Sequence, residues 1–315
     1  MGCYLAKFTF TGLDVIDLPP DTSSVYIIVL TWNNWEDTVV CLQSLQRLTY
    51  PIYQVVVVDN GSTDGTVTHI EHAYPEVHLI QNGRNLGFAA AANVGMRYAM
   101  MQRASYVLLL NNDAIAPPTL LDELIGYVTT LPDVGMATPP LSYRDASQTL
   151  WFAGSKRHWL TMESVDFGPI GPKRHSQADV CHPVDYIFGT AMLIPTSVLQ
   201  RVGLFDEKLY LYYEDMDLSL RIQAAGYKLY YIPMTSVQHG VSGSTRSLSS
   251  MRHYHKARSS VIFFRKHTGW GRRLVIVPYR LASALRTVTR LGWASEWAAA
   301  RAYLSGLKDG LRIEI

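Results

Sequence analysis

The sequence predicts an α/β fold: a mainly parallel central sheet flanked by helices, with a helical C-terminal appendage. Three observations carry that expectation. Short β-branched runs alternate with helical stretches up to Asp113, the pattern of a parallel sheet covered by helices. Polar residues stand directly after each of the first four runs, where an open sheet of this kind binds its ligands. The formal net charge of +2 also hides a division, because residues 1–245 carry −9 and residues 246–315 carry +11.

Each element follows from its own pattern. Val25 to Thr31 (VYIIVLT) is a continuous apolar run, as expected of a strand buried on both faces. The amphipathic stretch Trp35 to Leu48 predicts a helix, and Gln54 to Val58, ending in Asp59, a second strand. A polar turn over Asn60–Gly65 leads to a helix near Thr66 to Tyr74, then to a third strand, Val77 to Gln81. The small-residue helix Phe88 to Met101 precedes a fourth strand, Tyr106 to Leu110. Beyond Asp113 come a helix near Pro118 to Thr130 and a short strand at Gly135 to Thr138. Pro139 to Pro183 reads as a loop-rich region of the kind that carries specificity or forms a lid. Order returns over Val184 to Pro195, with helices at Thr196 to Val202 and Leu218 to Ala225 and a strand at Lys228 to Pro233. From His253 the reading is helical, interrupted at Gly269 to Gly271 and at Pro278. The chain thus divides into an extension (1–24), an α/β body (25–245) and a basic helical region (246–315).

With 48% hydrophobic and 17% charged residues over 315 positions, the chain can bury a large core, which excludes collagen, coiled coil and disorder. Cys3, Cys41 and Cys181 are scattered and odd in number, which points to reduced thiols and a cytoplasmic setting rather than a disulfide framework or zinc site. No 18 apolar residues run together, so any membrane contact is expected to be peripheral, at the inner face of the cell membrane.

Chemistry is expected at the strand ends: Thr31-Trp32-Asn33, Asp59-Asn60, Asn82-Gly83-Arg84-Asn85 and Asn111-Asn112-Asp113. GxGxxG and GxxxxGK[ST] are both absent, so a nucleotide here needs another phosphate strategy. Asp113 is well placed to ligate Mg²⁺ or Mn²⁺ against a diphosphate, although NND before Pro117-Pro118 also suits a turn. The densest constellation is LYLYYEDMDLSLR, residues 209–221. Its aromatic run can desolvate Glu214, Asp215 or Asp217 and make a better base, while the same acids also suit the first turn of a helix. Asp217 and Arg221 are spaced for an i,i+4 pair. His239 is either structural or a second metal ligand, and Val241 to Thr245 is a candidate flap.

Taken in order, the blocks IIVLTWNN, VVVVDNGSTDGT, NGRNLGFAAAANVGM, LLLNNDA, FGTAMLIPTSVLQRVGLFDE, LYYEDMDLSLRIQAAGY and His239 resemble inverting family 2 glycosyltransferases of the Rossmann-like GT-A fold, especially the bacterial rhamnosyltransferase-like branch. The resemblance runs from about Val25 to Gly269. It implies a nucleotide-sugar half (25–113) and an acceptor half (114–245) of one catalytic domain. Thr31, Asn33, Asp59, Arg84, Asn85, Asn111 and Asn112 would form the nucleotide-sugar site, and Asp113 and His239 would be ligands to Mg²⁺ or Mn²⁺. Asn111 departs from the family pattern, in which the first position of the DxD-type motif is Asp. Asp215 would be the catalytic base, with Glu214 the alternative or an orienting group, and Asp217, Tyr213, Gly189 and Thr190 would contact or support the acceptor. The implied reaction moves a sugar, rhamnose as the best single guess, from a dTDP- or UDP-sugar to a hydroxyl of a glycan or lipid-linked glycan. A sugar-nucleotide pyrophosphorylase lacks its early phosphate loop here, and an inactive binding module would not need Asp113, Asp215 and His239 together. The basic region, with Trp270, Tyr279, Trp293, Trp297 and Tyr303, suits an anionic membrane surface; packing on the body or in a homodimer is the alternative. No nucleic-acid module accompanies the charge, so no nucleic-acid partner is expected.

Overall fold

A computed structural model of the chain describes residues 23–144, 146–166, 180–240 and 249–315. The extension up to residue 22, with Cys3, and the candidate flap lie outside the described residues. In chain order, the first half contains β1 (Val25–Thr31), α1 (Trp35–Leu45), β2 (Tyr53–Asp59), α2 (Thr66–Ala73), β3 (His78–Gln81), α3 (Phe88–Met101), β4 (Tyr106–Asn111), β5 (Ala114–Ile115), α4 (Leu120–Val128) and β6 (Val134–Thr138). There follow β7 (Leu141–Tyr143), β8 (Ala146–Phe152), β9 (Ser155–Arg157), β10 (Ser164–Asp166), β11 (His182–Val184), β12 (Ala191–Pro195), α5 (Thr196–Val202), α6 (Glu214–Ala224), β13 (Lys228–Tyr231) and β14 (Val237–His239). Three helices end the chain: α7 (Ser249–His267), α8 (Trp270–Trp293) and α9 (Trp297–Arg312).

The main sheet has eight strands in the order β11-β13-β6-β12-β4-β1-β2-β3. β1, β2, β3 and β4 are parallel, β12 runs antiparallel between β4 and β6, and β11 is antiparallel to β13. The continuous apolar character of β1 follows from burial on both faces. Val25, Ile27 and Val29 pack with Leu42, Ile70 and Leu124 on one side, while Tyr26 and Ile28 pack with Ala92, Leu199 and Leu218 on the other. The chain leaves β1 toward β2 and β3 on one side and takes β4 on the other, which opens a crevice at the carboxyl ends of β1 and β4. A second sheet, β5-β14-β7-β8, brings His239 back beside Ala114.

Three expectations need correction. Among its described residues the stretch from Pro139 to Pro183 is not mainly loop: β7 to β11 lie in or across it, four of them only three residues long and therefore without a readable alternation. The helix expected from Leu218 starts at Glu214, so the acidic cluster forms its first turn. Pro278 lies inside α8 instead of ending it. It lies on an exposed side of the helix, and Leu274, four residues earlier, whose carbonyl it leaves without an amide partner, is exposed as well.

Candidate active site

At the crevice, a pocket of about 160 Å³ is lined by Thr31, Trp32, Asn60, Asn85, Asn112 and Tyr210, among others. Asn60 organises it. Its side-chain oxygen accepts from the Leu86 amide at 2.9 Å, and its Nδ2 donates to Asn85 Oδ1 at 3.0 Å. Asn85 Oδ1 also accepts from the Tyr210 hydroxyl at 3.0 Å, tying the strand ends to the loop before α6. Gly87 is required at this junction: its φ is +82°, and a Cβ there would stand 2.5 Å from the Tyr210 ring. The Thr38 hydroxyl, 3.0 Å from Thr31 Oγ1, accepts from Asn112 Nδ2 at 2.9 Å.

Four residues expected at the nucleotide-sugar site do not line this pocket: Asn33, Asp59, Arg84 and Asn111, the last of which meets His239 instead. Asn33 and Asn34 take left-handed backbone angles, φ 58° and 66°, that turn the chain sharply from β1 into α1. Asn33 Oδ1 then accepts from the Thr63 amide at 2.8 Å, so its side chain holds the neighbouring turn while Trp32 lines the pocket. Asp59 is buried, and its carboxylate accepts from the amides of Gly61 and Ser62 at 3.0 and 3.1 Å, so it shapes the turn that follows β2. Arg84 is exposed on the adjoining loop, where its backbone packs so tightly on Gly61 that a Cβ there would stand 2.6 Å away. Trp32, Asn60 and Tyr210 are among the pocket residues that the sequence did not single out. The first two stood in the strand-end blocks, but nothing local distinguished the side chain that faces the pocket from its neighbours.

Asn111, Asp113 and His239 meet across 126 to 128 positions. His239 Nε2 is 3.0 Å from Asp113 Oδ1 and 3.2 Å from Asn111 Nδ2. One ring nitrogen cannot donate to the carboxylate and accept from the amide at once, and His239 Nδ1 is buried with no partner among the described residues. With the proton on Nδ1, the Nε2 lone pair and the Asp113 carboxylate face each other, which a cation between them would satisfy. One carboxylate, one imidazole and one amide oxygen, after a turn of the Asn111 side chain, therefore fit a divalent cation. Among the described residues no three His, Cys, Asp or Glu side chains converge, so oxygens from a bound ligand would complete the shell.

Deeper along the cleft, Glu214 and Asp215 border a cavity of about 500 Å³. The approach is strained: Tyr212 and Tyr213 both have φ of 70°, a left-handed conformation that costs a bulky residue about 1–3 kcal/mol. Packing of the Tyr213 ring on Phe263, with centroids 5.2 Å apart, holds this turn. Asp215 Oδ2 accepts from the Gly189 amide at 3.1 Å and Oδ1 from the Met216 amide at 2.7 Å. Burial nevertheless pushes its carboxyl up to about 6. Glu214 is driven well above the usual carboxylate range, by burial and then by the neighbouring charges of Asp215 and Asp217; its Oε2 has no partner among the described residues. The next residue in the segment, Thr190, accepts from the Asn111 amide at 3.0 Å, so Gly189-Thr190 joins the Asp215 cavity to the Asn111–Asp113–His239 group.

Asp217 stands apart from the cleft. It is fully buried, and its oxygens accept from Arg221 Nε at 2.8 Å, Lys266 Nζ at 2.8 Å and His267 Nε2 at 2.7 Å. Burial opposes ionisation, but the His267 hydrogen bond and the charges of Arg221 and Lys266 overcome it and hold the carboxyl below its usual range. Its geometry suits support of α6, not contact with an acceptor, and the expected pair with Arg221 is present.

Comparison with known proteins places this geometry in context. The family model described as glycosyl transferase family 2 matches residues 26–203. The N-acetylglucosaminyl-diphospho-decaprenol L-rhamnosyltransferase of Mycobacterium tuberculosis is 29% identical over 266 residues, covering 78% of this chain and 86% of that protein. The dTDP-rhamnosyl transferase RfbF of Shigella flexneri is 24% identical, covering 78% and 81%. Among solved structures, a mannosyltransferase from Pyrobaculum calidifontis in complex with GDP-Man and Mn²⁺ superposes with a TM-score of 0.57 at 19% identity, covering 97% of this chain and 80% of that one. The fold is GT-A, as the sequence motifs implied.

Proposed function

The chain belongs to glycosyl transferase family 2, and from that premise we propose that it is an inverting rhamnosyltransferase using a dTDP- or UDP-sugar and a glycan or lipid-linked glycan acceptor. The observation that carries the reading is the Gly189-Thr190 bridge, which sets a carboxylate poised near neutrality beside a carboxylate–imidazole pair at the end of the nucleotide crevice. The names of the Mycobacterium and Shigella relatives favour rhamnose and dTDP, and favour a diphosphate-linked lipid as the carrier of the acceptor. Neither a pyrophosphorylase nor an inactive binding module accounts for Asp215 in this position.

In the reaction, Asp215 takes the proton of an acceptor hydroxyl as that oxygen attacks the anomeric carbon. The bond from that carbon to the donor's diphosphate breaks on the opposite face, and the electron pair leaves with the nucleoside diphosphate. The Gly189 amide orients the carboxylate, and its pKa near 6 leaves it ionised at neutral pH yet basic enough to share a proton. Burial and the neighbouring carboxylates favour the protonated form of Glu214, which keeps a second negative charge away from the departing diphosphate. Trp32 and Tyr210 offer aromatic surface for the base, with Asn85 and Asn112 as polar partners. Asp113, His239 and Asn111 would hold the divalent cation. When bound, it neutralises the diphosphate as charge develops there. The imidazole in this set favours Mn²⁺ over Mg²⁺, which prefers an all-oxygen shell.

We further propose that the enzyme works in the cytoplasm at an anionic membrane surface, through α8 and α9. No described helix is long and apolar enough to cross a membrane, but both helices present apolar residues to solvent beside arginines. A thermal-shift panel of dTDP, UDP, GDP and ADP with and without Mn²⁺ tests the donor reading. Stabilisation by dTDP or UDP that needs Mn²⁺ and is lost in Asp113→Ala is the expected result; equal indifference to all four nucleotides sinks it.

A further inference from the structure

The cavity that holds Asp215 has a cationic wall that the donor site does not use. Opposite the carboxylates it is built from Lys256 on α7 and from Arg280, Ser283, Thr287 and Arg290 on α8. The α8 residues recur at steps of three and four, so one face of the helix supplies two guanidinium groups and two hydroxyls. Arg280 is partly answered by Glu163, 3.4 Å away. Among the described residues no carboxylate lies within ion-pair distance of Lys256 or Arg290. Desolvation, then the charges of Arg252, Arg280 and Arg290, pushes the Lys256 ammonium below the usual lysine range. Converging cations around an open space cost energy until an anion enters, and phosphate oxygens match both guanidinium and ammonium donors.

An apolar groove adjoins this cavity. It encloses about 660 Å³ between α7, α8 and α9, with Phe264, Ile276, Leu281, Leu307 and Leu311 on its walls. Arg280 and Ser260 line both spaces. The Arg280 guanidinium lies 4.7 Å from the Phe264 ring centroid and donates to Ser260 Oγ at 2.9 Å, so it marks the boundary between the polar cavity and the apolar groove. A ligand that fills both must be anionic at one point and hydrocarbon beyond it.

We infer that Lys256 and Arg290 bind the phosphate or diphosphate of the acceptor, and that the α7–α8–α9 groove receives the apolar chain attached to it. The sugar carried by that phosphate then projects toward Asp215. This rests on the glycosyltransferase reading for the identity of the base, but the binding site can be tested without turnover.

The experiment uses the full chain and three probes: farnesyl diphosphate, inorganic pyrophosphate and farnesol, each titrated calorimetrically. Farnesyl diphosphate is expected to bind on the order of tenfold or more tighter than either half, as it engages both spaces. Lys256→Gln/Arg290→Gln is expected to weaken it by about tenfold or more, the effect of losing charge-assisted hydrogen bonds, while Lys256→Arg/Arg290→Lys retains it. Leu281→Ser/Leu307→Ser is expected to weaken farnesyl diphosphate and leave pyrophosphate unchanged. Circular dichroism of each variant guards against misfolding. Equal binding of farnesyl diphosphate by the Gln variant and the parent overturns the inference. So does loss of binding to phosphatidylglycerol vesicles with farnesyl diphosphate binding intact, which would assign the cations to bilayer headgroups. Nucleotide stabilisation with Mn²⁺, read on the same samples, separates the two claims: its failure in the parent sinks the donor reading alone, and its loss in the Gln variant would give the cations to the donor and overturn the acceptor site.

Discussion

Asp215 and Glu214 are adjacent acids with opposite assignments, and the difference lies in their partners. Two backbone amides serve Asp215, whereas Glu214 Oε2 is buried with none. Burial favours the protonated form of both, more strongly for Glu214, where the charges of Asp215 and Asp217 add to it, while Asp215, at about 6, is largely ionised at neutral pH. Activity is therefore expected to rise with pH through about 6 and level off above it, read as kcat/KM across pH 5–8. Asp215→Asn should lower turnover by on the order of 10²- to 10⁴-fold with nucleotide binding intact. Glu214→Gln, which copies the protonated acid, should keep most activity and the same ascending limb; if that limb disappears, the base is not Asp215. Stability follows the same titration. The folded pKa of Asp215 lies above its reference of 3.8, so its contribution is fully present below 3.8 and is lost as pH rises through about 6. Asp215→Asn should therefore raise Tm relative to the parent at pH 8, with the gap closing toward pH 4. The acidic block was legible in the sequence because three carboxylates in four positions are rare, and Asp113 and His239 each stood as a candidate cation ligand after a strand, an assignment that the family resemblance sharpened. Which neighbour faces the cleft was not legible. Trp32 against Asn33 is decided by a left-handed turn, and Asp217 against Asp215 by two helical steps, which put them on opposite sides of α6.

At the level of elements, α8 carries two stripes with different destinations. Arg280, Ser283, Thr287 and Arg290 face the Asp215 cavity, while Trp270, Leu274, Val277, Leu281 and Leu285 recur at steps of three and four and stand exposed, Trp270 at 84% and Leu274 at 82%. A helix of a globular protein normally buries such a stripe, and each exposed leucine withheld from water would gain about 1.5–3 kcal/mol. The protein is expected to co-sediment with anionic liposomes in low salt, less so in high salt, and Trp270→Ser/Leu274→Ser should release it. No sedimentation in low salt would sink the membrane reading, and a concentration-dependent dimer by light scattering would assign the stripe to a second copy. α9 is fixed differently. A Cβ at Gly306 would lie 2.2 Å from the Tyr254 carbonyl oxygen and one at Gly310 2.7 Å from that of Arg258, so both glycines allow α9 to lie against the backbone of α7. Gly306→Ala should cost about 1–3 kcal/mol in urea unfolding, an overpacking that no side-chain rotation relieves. The helices and the long buried strands could be read from periodicity; the three-residue strands of β7, β9, β10 and β11 could not, because pairing across the chain defines them rather than any local pattern.

For the whole molecule, the division into an acidic body and a basic tail is partly consumed inside the fold. Lys266 bridges Asp206 at 2.7 Å and Asp217 at 2.8 Å, His267 meets Asp217 at 2.7 Å, and Arg265 donates to the carbonyls of Gly310, Leu311 and Ile313 at 2.8–3.0 Å. The end of α7 is thus clamped to the helix that begins with Glu214 and Asp215, while Phe263 and Phe264 pack against Tyr213. This makes 249–315 a buttress for the candidate base as well as a surface, and Asp217 is its keystone: a fully buried carboxylate whose removal leaves Arg221, Lys266 and His267 facing one another. Asp217→Ala is expected to cost about 3–5 kcal/mol at pH 7, the penalty for breaking a buried ion pair from one side. Because its folded pKa is depressed, the stabilisation is present above the unfolded carboxylate range near 3.8 and is lost as pH falls through the folded value, so parent and variant should converge in strong acid. Urea midpoints followed from pH 7 down into strong acid, below the folded value, measure both limbs. Activity discriminates further: under conditions where Asp217→Ala remains folded, the loosened α6 should misplace Asp215 and lower kcat more than it alters dTDP binding. A variant with an unchanged midpoint at pH 7 would mean that α7 is not clamped through this carboxylate, and that the tail can part from the body without disturbing the site.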